Sequence, residues 1–325
     1  MPGFTTHYIF GMKAYNDMPF TPLKHTIAKY RWLYQLGLQG PDMFFYNIPI
    51  LRHRDYRNVG SYMHEHKVNA FFECCLRRIG TIRSRQQQEE AISYLAGFIN
   101  HYIADSICHP YVYGRIGYPV DAPTSMHHGM HAHLENELDA ILLWKYKKKK
   151  PSEFNQTATI CLNGQEIQFI SHFLASCINE TYYPITYRNN FQVTPAMVHR
   201  SIWALRFGCR TLSDKNGKKK FGIAQVESIF VTHPVASANM VTDSVTDYLS
   251  SCNLNHEAWG NPWDPTRVST ASFVDLFHET LDKCSRVYAL LNSAVTDNMP
   301  LDKQDLSPLL AELGNESYHS GLPVE

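Results

Sequence analysis

The sequence predicts an all-α fold, a single multi-helix domain running through residues 1–325. Apolar residues recur at intervals of three and four along nearly every long segment, the period of a helix face. Alternation suited to a strand is confined to one short stretch, Ala158–Gly164. No internal repeat, composition shift or Pro/Gly/Ser-rich linker divides the chain.

The elements follow in order. Thr21-Pro22 opens a helix that continues through Ile27, Tyr30, Leu33 and Tyr34 until Gly37 and Gly40-Pro41 stop it. A second runs from about Gly60 through His64, Val68, Phe71, Phe72 and Leu76. A third starts near Gln86 with Ile92, Leu95, Ile99 and Tyr102 on one face. Tyr94, Phe98 and Ile103 fill its other faces, and a helix apolar all round belongs inside a bundle. A fourth spans about 125–147, with Met130, Leu134, Leu138 and Ile141 as its core stripe. The Lys147–Lys150 run after it reads as a solvated terminus that complements the helix dipole.

Segments near 165–182, 194–212, 234–252 and 270–295 repeat the helical spacing. Residues 214–217 and 261–265 read as turns or loops, and Ala158–Gly164 as a short extended piece turning at Asn163-Gly164. The polar tail, 315–325, is expected to fray. The candidate ligands fall within 1–145, and residues 150–295 supply additional helices.

A content of 44% hydrophobic and 18% charged residues is that of a globular protein. Thirty basic and thirty acidic residues cancel, which removes any overall field favouring nucleic acid or anionic membrane. The cysteines include adjacent Cys74-Cys75 but no C-x-x-C pair, which points to reduced thiols rather than a disulfide framework. The opening MPGFTTHYIFG lacks a charged n-region and an apolar h-region, and no apolar run is long enough to span a bilayer. The expectation is a cytoplasmic protein without a transmembrane segment. Seventeen histidines are the unusual count, and neutral imidazole is the commonest protein ligand for metals.

Their placement is not random. His101, Asp105 and His109 in HYIADSICHP stand four apart, on one stripe of the helix expected to be most buried. Three ionisable groups in such a place are costly unless satisfied, either by a polar network between helices or by a cation. A second stripe, His127, His131, Glu135 and Asp139, repeats the spacing, and His131 with Glu135 can share a metal with a ligand from the first. His128, His133 and Glu137 face elsewhere and read as solvent-facing. His7, Asp42 and His64 (with His66 beside it) lie where a terminus, a loop and a helix start can turn inward. His172, His199, His233, His256 and His278 have no spacing that ties them to either stripe.

The order H…PD…H…HxxxDxxxH…HxxxE resembles the zinc-dependent phospholipase C family. Its relatives include bacterial lecithinases, the catalytic domain of glycosylphosphatidylinositol phospholipase D and fungal single-strand nucleases. MPGFTTHYIFG and GPDMFFYNIPI resemble intracellular bacterial members, and NPWDPTRVSTASF resembles them more weakly. The resemblance implies an all-helical domain of the phospholipase C and single-strand nuclease type holding a zinc cluster. It gives the first zinc to Asp42, His64, His101 and Asp105, and the second to His109, His131 and Glu135. It gives the third to His7 and Asp105, with Asp105 bridging. In secreted relatives the third zinc also takes the N-terminal amine, usually of a tryptophan. This chain has no tryptophan near its start. The expectation is therefore two or three zinc ions, the third position being empty or holding another metal such as iron. His109 follows Asp105 by four residues, as in the phospholipase D branch.

The expected activity is hydrolysis of a phosphodiester by zinc-activated water, with Asp42 as the candidate general base and a small phosphoester or phospholipid as substrate. Three rivals stand beside it: a nuclease or nucleotidase on the same metals, a non-catalytic zinc-binding protein, and an iron or manganese carboxylate oxidase. The last fits less well because histidines outnumber carboxylates. No specific nucleic-acid partner is expected. Met43-Phe44-Phe45-Tyr46, with Ile48 and Ile50, reads as core in preference to a lip for acyl chains.

Overall fold

The computed structural model describes residues 3–47, 58–185, 191–212, 214–230, 237–243, 245 and 247–325. Thirteen α-helices occur among these residues, joined by short 3-10 turns and one two-stranded hairpin. In chain order the first five are α1 Phe4–Asp17, α2 Pro22–Lys29, α3 Arg31–Gly37, α4 Val59–Glu65 and α5 Val68–Thr81. The two longest of the first half follow, α6 Arg85–Arg115 and α7 Ser125–Lys147. Then come α8 Gly164–Tyr182, α9 Pro195–Thr211, α10 Lys218–Phe230 and α11 Tyr248–Ser251. The last are α12 Phe273–Thr296 and α13 Ser307–Leu313, so the all-α expectation holds.

α6 is the axis of the molecule. It is buried on every side between Tyr94 and Ala104, and it packs against α1, α2, α3, α5, α7, α8 and α12. Two apolar cores meet along it, a larger one that includes Ile99 and Ile103 and a smaller one that includes Ala104 and Cys108. α3 crosses α6 with backbone against backbone. A Cβ at Gly37 would lie 2.1 Å from the Tyr94 carbonyl oxygen, and one at Gly97 would lie 2.1 Å from that of Tyr34. No side chain fits at either position, and this approach carries the chain after α3 directly onto His101. Gly40 then turns the chain with φ +45°, and a Cβ there would sit 2.2 Å from the His101 ring. The 3-10 turn Gly40–Tyr46 that follows presents Asp42 inward.

Several elements depart from the sequence expectation. The helix expected from Thr21 onward is two, α2 and α3, meeting at Tyr30, whose φ −115° and ψ 42° leave the helical region. The helix expected from Gly60 to Leu76 breaks at Lys67, which adopts the left-handed region with φ 49°. Ala158–Gly164 is not extended: Gln156–Thr159 forms a 3-10 turn, and Asn163 caps α8 in a reciprocal pair with Glu166. Residues 259–269 form the antiparallel hairpin, with Trp259 opposite Ser269 and Gly260 opposite Val268. Of the helix expected at 234–252, the described residues show only a 3-10 turn at Ser237–Asn239 and the short α11. α10 and α13 were not anticipated.

The tail does not fray. Lys67 donates its backbone N–H to the Glu325 carbonyl, Tyr318 donates to the His64 carbonyl, and Tyr102 donates its hydroxyl to Glu316 at 2.6 Å. Residues 315–325 thus lie along the junction of α4 and α5 and against α6.

Candidate metal centre

α6 places His101, Asp105 and His109 one turn apart, and all three side chains are fully buried. Asp105 is the hub. One of its oxygens lies 3.1 Å from His7 Nε2, and the other lies 3.2 Å from His101 Nε2 and 3.7 Å from His64 Nε2. Asp42 Oδ1 closes the group at 3.3 Å from His64 Nε2 and 3.6 Å from His101 Nε2. Ligand atoms of Asp42, His64, His101 and Asp105 all fall within 4.8 Å of one another. A second such group is His109, His131 and Glu135. In it Glu135 Oε1 lies 3.5 Å from His109 Nε2 and 2.6 Å from His131 Nε2.

The rings are aimed by the backbone. His64 Nδ1 contacts the Gly60 carbonyl at 2.7 Å, His101 Nδ1 that of Leu38 at 3.1 Å, and His109 Nδ1 that of Tyr318 at 2.7 Å. A carbonyl only accepts, so each Nδ1 carries the proton, and in the neutral ring each Nε2 keeps its lone pair. Those three Nε2 atoms, and both oxygens of Asp105, are buried without a hydrogen-bond partner among the described residues. Orphaned acceptors converging in pairs and triples would be costly as a polar network. A divalent cation at each group would satisfy them together, and the imidazole and carboxylate donor set suits zinc.

The electrostatics favour the neutral ligand form at His109 and His131 and oppose it at His64. Burial opposes charge on Asp105, yet the surrounding rings of His109, His101 and His7 hold its carboxyl well below the usual range. Burial would also lower His64, but the Asp105 and Asp42 carboxylates outweigh it and raise the ring to about 9. Burial pushes His109 and His131 well down, toward the neutral form that a ligand requires. Glu135 is pushed up by burial, so its carboxylate needs a positive neighbour to stay charged.

His7 comes from α1. Its ring stacks on His101 at 4.0 Å between centroids, and burial lowers its pKa. Among the described residues it reaches Asp105 alone of the carboxylates, and Met1 and Pro2 lie outside them.

The structure brings together His7, Asp42, His64, His101, Asp105, His109, His131 and Glu135. It does not bring in the rest of the second stripe. His127 Nδ1 meets the Thr124 hydroxyl at the start of α7. Asp139 accepts the backbone N–H groups of Thr5 and Thr6, at 3.1 and 2.7 Å, and so caps the first turn of α1. Glu137, expected to face solvent, is buried and accepts from Ser251. His172, His199, His256 and His278 are exposed, and His233 lies outside the described residues. Met43 and Phe44 are core, while Ile48 and Ile50 also lie outside the described residues.

The tail supplies what sequence reasoning missed. Besides the Tyr318 carbonyl, it contributes His319, whose ring stacks on His64 at 4.9 Å and lies 5.6 Å from that of His109. His319 Nδ1 sits 3.1 Å from the Tyr113 hydroxyl. A lone histidine in a polar tail carries no spacing signal, and a backbone carbonyl leaves none in the sequence.

A cavity of about 90 Å³ reaches both groups, with Asp42, Tyr46, Glu135, Asn136 and Gln156 among its walls. His131 and Glu135 keep 13% and 11% of their side-chain exposure, against 0% for Asp105 and His101, so solvent enters on the side of the second group.

Among family models, the one described as zinc dependent phospholipase C matches residues 6–186, more than half of the chain. No curated protein and no solved structure matches.

Proposed function

The chain belongs to the zinc-dependent phospholipase C family, and from that premise we propose that it hydrolyses a phosphodiester with water activated by zinc. Coarsely, it is a metal-dependent phosphoesterase with no helix among the described residues long and apolar enough to cross a membrane. The observation that carries the finer reading is the pair of inward-facing candidate ligand groups that meet one cavity.

In this reading Asp42, His64, His101 and Asp105 hold the first zinc, and His109, His131 and Glu135 the second. His7 and Asp105 hold a third where one is present. Bound zinc supplies Lewis acidity toward water and phosphoryl oxygens. The chain's own residues do the rest. The Gly60, Leu38 and Tyr318 carbonyls lock the rings before substrate arrives, so no reorientation is needed during the reaction. Asp105, fully buried, sets one oxygen beside His7 and the other beside His101 and His64. Asp42 shares the cavity wall with Glu135 and is the proposed general base. On the cavity wall Asn136 and Gln156 each have one amide N–H engaged, by the Ala238 carbonyl and the Thr5 hydroxyl, and a second is proposed for phosphate oxygens. A small phosphoester or a phospholipid headgroup is the proposed substrate.

The test is zinc content measured together with hydrolysis of a water-soluble chromogenic phosphodiester. His101→Ala and Asp105→Ala are each expected to lose bound zinc and at least about a hundredfold in rate together. A variant that turns over at full rate without metal sinks the proposal.

A further inference from the structure

The outer face of α9 is unusual for an exposed helix surface. Its buried stripe, Val198, Ile202, Leu205 and Cys209, packs inward as an amphipathic helix should. The opposite stripe carries Trp203 and Phe207, 63% and 54% exposed, with ring centroids 5.3 Å apart and planes within 9°. Single exposed apolar side chains are ordinary on a protein surface. Here two large aromatics lie stacked on one stripe, bracketed by exposed Arg200 and Arg210, with half-buried Arg206 between them. None of the three arginines pairs with a carboxylate among the described residues.

The charge around this face is one-sided although the whole chain is neutral. From residue 195 to 226 there are seven lysines and arginines against a single acid, Asp214. Asp214 is itself buried and occupied by the backbone N–H of Lys220. The next helix repeats the composition, with Lys218, Lys219 and Lys220 beside Phe221 and Val226, which are 67% and 58% exposed.

α9 also forms one side of the catalytic approach. Asn47 donates its amide to the Met197 carbonyl and the Ser201 hydroxyl, which ties α9 to the turn bearing Asp42. Gly208 lies so close to Tyr46 that a Cβ would fall 2.4 Å from its ring. Cys209 and Leu212 share the cavity wall with Asp42 and Glu135. The aromatic face and the cavity are therefore separated by one helix diameter, about 10 Å.

We propose that this face of α9 docks on the surface of a bilayer containing anionic phospholipid and brings the cavity to the headgroups. Trp and Phe sit at the boundary between headgroup and acyl chain, where an amphipathic ring is best solvated, while unpaired arginines meet lipid phosphates. The proposal rests on the phosphoesterase reading only for the identity of the substrate; the docking surface stands on its own residues.

The experiment uses the full chain loaded with zinc, and vesicles of phosphatidylcholine with and without about a third of phosphatidylserine. The chain is expected to co-sediment with the anionic vesicles, more weakly as salt is raised. W203S/F207S and, separately, R200E/R210E are expected to bind them at least about tenfold more weakly. Both variants should keep zinc content and turnover of the water-soluble diester, while losing rate on phospholipid presented in vesicles. Failure of the unmodified chain to bind anionic vesicles, or unchanged binding by both variants, overturns the proposal. So does a shift from dimer to monomer in W203S/F207S by light scattering, because the face would then be a contact between copies. Vesicle binding without diester turnover upholds the docking surface and counts against the phosphoesterase reading alone.

Discussion

At the scale of single residues, Asp139 shows that a shared stripe does not give a shared role. It stands four residues after Glu135 and shares its stripe, yet it serves the far end of another helix, the Thr5 and Thr6 N–H groups at the start of α1. That cap fixes the helix that carries His7. Burial pushes the Asp139 carboxyl up to about 6, from an ordinary value of 3.8, although two N–H donors favour its charged form. A folded-state pKa raised in this way adds stability that is complete below pH 3.8 and is lost as pH rises through about 6. The full difference is worth about 3 kcal/mol. Asp139→Asn does not titrate. The stability of the unmodified chain relative to this variant is therefore expected to fall between pH 4.5 and 7, as read from urea unfolding. A relative gain over that interval would mean that the helix terminus, not burial, controls the carboxyl.

Among elements, what was legible followed from periodicity. Repeats at three and four make α6, α7, α8, α9 and α12 readable, and spacings of four place the candidate ligands of α6 and α7 on single faces. The breaks were not readable. Lys67 turns left-handed without being glycine, and Tyr30 interrupts an apolar pattern that runs unbroken across it. Neither interruption changes the hydrophobic spacing, so neither leaves a trace in it. Polarity made the tail look loose because its partners are far away in sequence, as with Asn69 donating its N–H to Asn315. Deleting residues 315–325 is expected to lower the zinc content by about one ion per chain, since His109 loses the acceptor that orients it. His109→Ala should cause the same loss. A truncated chain that keeps its full zinc complement would show that the tail only covers the site.

For the whole molecule, two apolar cores press on a polar centre that neither can solvate. The family match ends at residue 186, whereas α9, α12 and the tail enclose that centre from beyond it. This explains why the order of candidate ligands was legible in the first 145 residues and the enclosure was not: candidate ligands are residue types at fixed spacing, and enclosure is packing between distant segments. A metal held in a centre of this kind would be coupled to global stability. Removing zinc with a chelator at neutral pH is expected to lower the melting temperature by more than about 10 °C, with recovery on adding zinc back. An unchanged melting temperature would show that the carboxylates and imidazoles balance one another without a cation.

The Tyr318 carbonyl that orients His109 has a consequence for biosynthesis. Translation delivers the histidines of α1, α4, α6 and α7 long before it delivers residue 318. A chain still attached to the ribosome therefore exposes most of its imidazoles while their final arrangement is beyond reach. Metal captured at that stage is held by an unfinished, exchangeable set of ligands. On this geometry, secure loading is expected to wait for the segment around Tyr318 to reach His109, whatever the supply of the ion.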